Sequence, residues 1–319
     1  MTDRNIWLDG IMGLVTGDAL GSPVQFLSRD DIRKRGFVTG MEAGGSYHMP
    51  AGTWTDDSSL ALATIDSMLD KGGLQPGDVM KRFTDWYYDG KYTPFGRSFD
   101  RGATCSQAIT EFEKTHDWKT CGRTGEFANG NGALMRILPA CLYCINLKDE
   151  RAEELVGNMT MITHNHTRVK MASILYFYLA RAIVKGGGSL ADRMLRGLDD
   201  FFDHPGTSEE AKESEHFRRT IEIIEQERKF DESDIRSTGY VIDSLEAAVW
   251  SIMTTDSFRD CLLRAVNLGD DADTVGAIAG GLAGLYYGYE GIPFEWKHVI
   301  QRRQWIEDLC EAAGRRYTA

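Results

Sequence analysis

Asp270, Asp271, Asp273 and Thr274 fall within five residues of one another in Asn267-Leu268-Gly269-Asp270-Asp271-Ala272-Asp273-Thr274-Val275-Gly276, directly ahead of an apolar, glycine-rich helical pattern. Carboxylates this close repel and raise one another's pKa unless positive charge lies between them. The nearest basic residue upstream is Arg264, so a hard divalent cation is the natural partner for these oxygens. The same residue types also serve as ordinary helix N-caps, where the dipole favours an anion. What turns the reading toward metal is a second cluster of the same chemistry, Thr53-Trp54-Thr55-Asp56-Asp57-Ser58, again just before a helical pattern. Two helix starts meeting at one point would supply four or more carboxylates, enough for a pair of Mg²⁺ or Mn²⁺ ions.

Two further stretches carry groups suited to a ligand. Ala128-Asn129-Gly130-Asn131-Gly132-Ala133 precedes the apolar pattern Leu134, Ile137, Leu138, Cys141 and Leu142. Small residues there either admit an anion to the backbone amides or simply make a tight turn. Thr163-His164-Asn165-His166 offers two imidazoles, which serve either as structural hydrogen-bond partners or as the lining of a cleft.

The elements that must position these groups read as helices throughout. Asn5 to Leu20 repeats apolar residues at helical spacing, and Gly17 to Pro23 is expected to stop that helix. A loop of about thirty residues then leads to the first acidic cluster. Helices are expected from near Asp57, over Pro76–Tyr88, Thr104–Lys114 and Ala152–Thr163, and in a buried central helix through Met171, Ile174, Leu175, Tyr178, Leu179 and Ala182. Leu190–Phe202, a segment through Val241 and Ile252, Phe258–Val266 and Pro293–Arg316 follow the same period. The polar stretch from Asp203 to Arg236 reads as a solvated helix face and as the best candidate for a boundary between lobes. Gly276, Gly280 and Gly284 put glycine on one face of the helix after Thr274, at about 1 kcal/mol each against alanine. That face implies another backbone packed very close. Seven prolines and few alternating runs leave little room for strands, so the expected fold class is all-α, with residues 1–319 as one domain.

Composition bounds the partners. A net charge of −12 argues against nucleic acid and suits a soluble cytoplasmic protein. The six cysteines are scattered, and Cys141 and Cys144 alone share a C-x-x-C spacing, which reads as core thiols in a reducing compartment. No signal peptide or membrane span is apparent.

Five motifs occur in one order: Gly17-Asp18-Ala19-Leu20-Gly21-Ser22-Pro23-Val24, Thr55-Asp56-Asp57-Ser58, Asn131-Gly132-Ala133-Leu134-Met135-Arg136, Thr163-His164-Asn165-His166 and Gly269-Asp270-Asp271-Ala272-Asp273-Thr274. In this the chain resembles the ADP-ribosylglycohydrolases, over roughly residues 6 to 288. The resemblance implies a compact all-α fold with a binuclear Mg²⁺ or Mn²⁺ centre at the floor of an ADP-ribose cleft. It implies Thr55, Asp56, Asp57, Asp271, Asp273 and Thr274 as metal ligands, with Asp270 behind them. It implies Gly130, Asn131, Gly132, His164 and Tyr240 as the substrate-binding residues. The implied partner is an ADP-ribosylated protein or a small-molecule ADP-ribose adduct.

Two departures from the family pattern stand out. Val24-Gln25-Phe26 replaces the common Val-Glu-Phe, whose glutamate lies close to the metals, and an amide cannot take a proton from water. Gln25 therefore occupies a catalytic position without that capacity. The base for a water attacking the anomeric carbon then becomes Asp57 first and Asp56 second. Ala128 stands where a family member has an aspartate facing an arginine guanidinium, so the acceptor is open among arginine, serine, an ester, a base or a small molecule. Two other functions remain open: an ADP-ribose-binding module weakened by Gln25, and a metallohydrolase of free ADP-ribose derivatives.

Overall fold

The computed structural model describes residues 4–203, 206–226 and 228–317. The chain begins with α1 (Ile6–Gly21), α2 (Arg29–Arg35), α3 (Asp56–Lys71), α4 (Pro76–Asp89), α5 (Ala103–Thr115) and α6 (Trp118–Cys121). It continues with α7 (Leu138–Cys144), α8 (Asp149–Met161), α9 (Thr167–Lys185), α10 (Leu190–Phe202), α11 (Ser208–Glu213) and α12 (Arg218–Glu225). It closes with α13 (Val241–Met253), α14 (Phe258–Val266), α15 (Ala272–Tyr287), α16 (Phe294–Val299) and α17 (Arg303–Tyr317). Among the described residues extended pairing is limited to the isolated bridges Gly44–Met49, Arg123–His164 and Gly130–Tyr240, so the fold is all-α.

The centre of the molecule is the pair α1 and α15. Every residue from Ala272 to Leu285 is buried, as is every residue from Asp9 to Gly21. The glycine face of α15 has its partner in an equal face on α1. A Cβ on Gly13 would lie 2.2 Å from Gly280 O, and one on Gly17 would lie 1.9 Å from Gly276 O. Gly21 meets Ala272 O and Gly284 meets Asp9 O in the same way. With no side chain between them the two backbones touch, and the dispersion gained across that contact offsets the helix cost of the glycines. The end of α1 is thereby fixed beside the start of α15.

A side-chain cap sets the start of α1. Asn5 accepts hydrogen bonds from Trp7 N and Leu8 N at the start of α1. The helix runs through Gly17 and Asp18 and ends at Gly21, inside the Gly17–Pro23 stretch expected to stop it, and the glycines there also serve packing. The stretch after Pro23 also holds more structure than expected. Ser28 caps α2, whose one buried residue is Ile32, too little apolar periodicity to reveal a helix. Phe217 and Ile224, within the polar 203–236 stretch, join the same core as α1 and α15. All six cysteines are buried and unpaired. No helix of the described residues is long and apolar enough to cross a membrane.

Candidate active site

The acidic floor is assembled from three helix ends. Asp18, in the last turn of α1, accepts from Thr55 N, Thr55 Oγ1, Ser58 N and Ser58 Oγ, and so caps α3 from another helix. With four donors on it, Asp18 fixes where Asp56 and Asp57 stand. The α15 side is held differently. Asp271 is the N-cap residue of α15 but makes no side-chain cap bond; its Oδ2 accepts from Asn131 Nδ2 at 2.6 Å. The N-cap alternative for the 270–274 cluster therefore does not use up the Asp271 carboxylate.

The residues fit a hard cation. Asp18, Asp57 and Asp273 each present an oxygen, and these atoms lie within 4.8 Å of one another. Asp57 Oδ2 lies 3.0 Å from Thr55 Oγ1, which it shares with Asp18, while Asp57 Oδ1 is buried with no hydrogen-bond partner. A carboxylate oxygen left so in a protein interior is costly unless a cation or a proton takes it. Asp56, Asp57, Asp271, Asp273 and Thr274 all line one cleft of about 360 Å³, with Thr55 buried just behind them. A larger hollow of about 580 Å³ beside Trp250 and Arg264 contains none of these residues.

Electrostatics points the same way. Burial is the leading cause of an upward pKa shift at every carboxyl of the floor. It pushes Asp18 up to about 7 against the pull of its donors. It holds Asp56, Asp57 and Asp273 well above the usual carboxylate range, with mutual repulsion among them adding to it. Asp271 is shifted upward as well. The one basic residue lining the cleft, Arg101, is exposed and turned to Ser98 Oγ and the Tyr87 ring. Among the described residues no basic side chain neutralises the floor.

The wall opposite holds groups that sequence reasoning passed over. Asp100 lines the cleft from the loop before α5, half-buried and with a left-handed backbone (φ +52°). It accepts from Gln25 Nε2 at 2.7 Å and from Tyr47 OH at 3.1 Å. Burial raises its pKa too, and it raises those of Asp56 and Asp273 in turn. Nothing periodic marks Asp100 in sequence. Asp18 lay within a quoted motif, and its signal was helical spacing from the glycines that carry it. Asp270 (φ +55°) stays outside the cleft lining. Its backbone exchanges bonds with Phe26 and Leu27, each of 2.7 Å, and so fixes Gln25 and Phe26 against Asp271.

The Gly130–Gly132 loop lies along the cleft, tied by Asn131 N to Gly239 O and by Val241 N to Asn129 O. His164 is buried beside it, and a Cβ on Gly132 would come within 3.0 Å of its ring. Arg136, which can only donate, bonds Thr163 Oγ1 at 2.7 Å, and that hydroxyl lies 2.9 Å from His164 Nδ1. Burial, then Arg136, depresses the His164 pKa to about 3, so the ring is neutral. Tyr240 adjoins the loop through its backbone, but its hydroxyl is turned to Arg168, and its ring is not part of the cleft lining.

Comparison with known proteins extends this description. The family model for ADP-ribosylglycohydrolase matches residues 2–319. The chain is 33% identical over 306 residues to the ADP-ribosylarginine hydrolase Tri1 of Serratia proteamaculans, covering 94% of this chain and 76% of that protein. It is 32% identical over 315 residues to the ADP-ribosyl-dinitrogen-reductase glycohydrolase of Rhodospirillum rubrum, covering 96% of each. A solved structure described as an ADP-ribosylglycohydrolase-related protein complex superposes with a TM-score of 0.79 at 29% identity, covering 98% of each chain. With sequence and fold agreeing from end to end, this chain belongs to the ADP-ribosylglycohydrolase family.

Proposed function

We propose that this chain hydrolyses the glycosidic bond between ADP-ribose and an acceptor, using two Mg²⁺ or Mn²⁺ ions at the acidic floor. The observation that carries this reading is the set of crowded, upward-shifted carboxyls around a buried, unpartnered Asp57 oxygen, with no basic side chain among them. Thr55, Asp56, Asp57, Asp271, Asp273 and Thr274 would hold the ions. When bound, the ions supply Lewis-acid polarisation and lower the pKa of water. Arginine is the first acceptor to test, since a relative at 33% identity carries that name.

The rest of the chemistry falls to this chain's own groups. The amides of Gly130 and Gly132 donate to the oxygens of the pyrophosphate and ribose, beside the neutral His164 ring. Asp57 lines the cleft floor with an unpartnered Oδ1, which supports a cation-holding role, whereas Asp100 faces the same cleft from a loop outside both acidic clusters. We assign proton transfer to Asp100 in place of Asp57 or Asp56. As water bonds to the anomeric carbon, Asp100 takes its proton; the bond to the acceptor breaks with its electron pair on the acceptor atom, and Asp100 returns the proton there.

The test compares Mn²⁺-loaded with EDTA-treated protein for release of labelled ADP-ribose from arginine- and serine-linked peptides. Metal-dependent release names the linkage. ADP-ribose binding without release from any linkage would instead favour the binding module, and release of phosphate or acetate alone would favour a hydrolase of free derivatives. Residues 1–319 are taken as one such domain, in keeping with the continuous core. The six buried, unpaired thiols fit a cytoplasmic, reducing setting.

A further inference from the structure

Gln25 is buried, 2% exposed, and its backbone is mounted rigidly. Its own N–H bonds Gly21 O at the end of α1, and the next residue's N–H bonds Asp270 O beside the second acidic cluster. A side chain so held delivers its amide to one place. There Nε2 meets Asp100 Oδ2 at 2.7 Å, while Tyr47 OH donates to Oδ1 at 3.1 Å. An amide nitrogen offers only protons and a carboxylate only lone pairs, so the pair has one satisfactory orientation. Asp100 needs such guides, because its left-handed backbone (φ +52°) and its loop do not fix the carboxylate by themselves.

The geometry points to Gln25 as the positioning residue for Asp100. With Tyr47 it forms a two-donor clamp that aims the Asp100 carboxylate into the cleft, so the amide at position 25 works where a glutamate would interfere. This rests on the function proposed above and deepens it. A glutamate of nearly the same volume would place a second anion against Asp100 Oδ2, in a site already crowded by Asp56 and Asp273.

The test uses full-length Gln25→Glu, Gln25→Ala, Asp100→Asn and the double exchange of Gln25→Glu with Asp100→Asn. Hydrolysis of an ADP-ribosyl-arginine peptide is followed with Mn²⁺, and melting temperature in EDTA. Gln25→Glu is expected to lower kcat by about tenfold to a hundredfold with KM within about threefold, the loss of one hydrogen bond to a charged group. Gln25→Ala, which removes the donor without adding charge, should lose less. A purely structural role would give the reverse ranking, since glutamate conserves shape. In the melting series Gln25→Glu should be destabilising, and Asp100→Asn should erase that penalty by giving the introduced carboxylate a donor. Gln25→Glu with wild-type kcat or better, or additive melting shifts, overturns the inference. If the wild-type protein releases no ADP-ribose, the proposed function fails instead, and the melting series still decides the pair.

Discussion

Replacing Gly17 by alanine tests the contact on which the floor is built. A Cβ there would lie 1.9 Å from Gly276 O and 2.3 Å from Gly276 C, both backbone atoms, where ordinary contact begins at 3.4 Å. Neither atom can swing aside, so α1 and α15 must part by about 1.5 Å at that level. Overpacking of this kind costs about 3 kcal/mol, and at roughly 2 °C per kcal/mol for a chain this long the melting point should fall by about 6 °C. The same displacement separates Asp18, the next residue, from Asp273, and a metal site tolerates only about 0.5 Å of such error. Mn²⁺ affinity, read by the loss of the free-ion EPR signal, should therefore drop with stability. Gly157, inside α8 with nothing within 4 Å of its Cβ position, is the matched control. Gly157→Ala should gain about 0.5–1 kcal/mol from helix propensity alone. A Gly17→Ala protein that melts with the wild type and binds Mn²⁺ unchanged would refute the backbone contact and the role drawn from it.

Three further outcomes are expected. Asp273→Asn should lower release by roughly a hundredfold or more, yet raise the melting temperature in EDTA, because it removes a buried charge that the fold disfavours; a lower EDTA melting temperature would count against that. In metal-free protein the floor carboxyls have folded pKa values above their unfolded ones, Asp18 at about 7. Their contribution to stability is thus fully present below the unfolded value and is lost as pH rises through the folded one. EDTA-treated protein should therefore melt lower at pH 8 than at pH 5, and Mn²⁺ at pH 8 should reverse the loss; a flat or rising profile would contradict the crowding. His164, with its pKa depressed to about 3, should show no imidazole titration by NMR between pH 5 and 8.

Much of this architecture was legible in the chain. Thr55, Asp56 and Asp57, like Asp271, Asp273 and Thr274, announced themselves because the carboxylates and hydroxyls gathered at one helix start are close in sequence. The glycine face of α15 announced a close neighbour, though not which one. The matching face of α1 went unread because Gly17 and Gly21, beside Ser22 and Pro23, look like a stop signal. Asp100 and Tyr47 could not be read at all. Their place beside Gln25 depends on side-chain bonds between residues far apart in sequence, and on a left-handed residue at position 100. The helix α2 was hidden for a simpler reason, having a single apolar residue to bury.

The cap that Asp18 places on α3 divides the site into two kinds of parts. The floor belongs to helix ends locked backbone to backbone, where almost any added atom is felt by three elements at once. The walls belong to loops: Gly130–Gly132 is held by main-chain bonds to Gly239 and Val241, and Asp100 by side-chain bonds from Gln25 and Tyr47. A lineage built this way can exchange its walls, and with them the acceptor it recognises, while inheriting its floor intact. Differences in substrate between relatives should accordingly concentrate in those loops, and swapping them should transfer preference without rebuilding the fold.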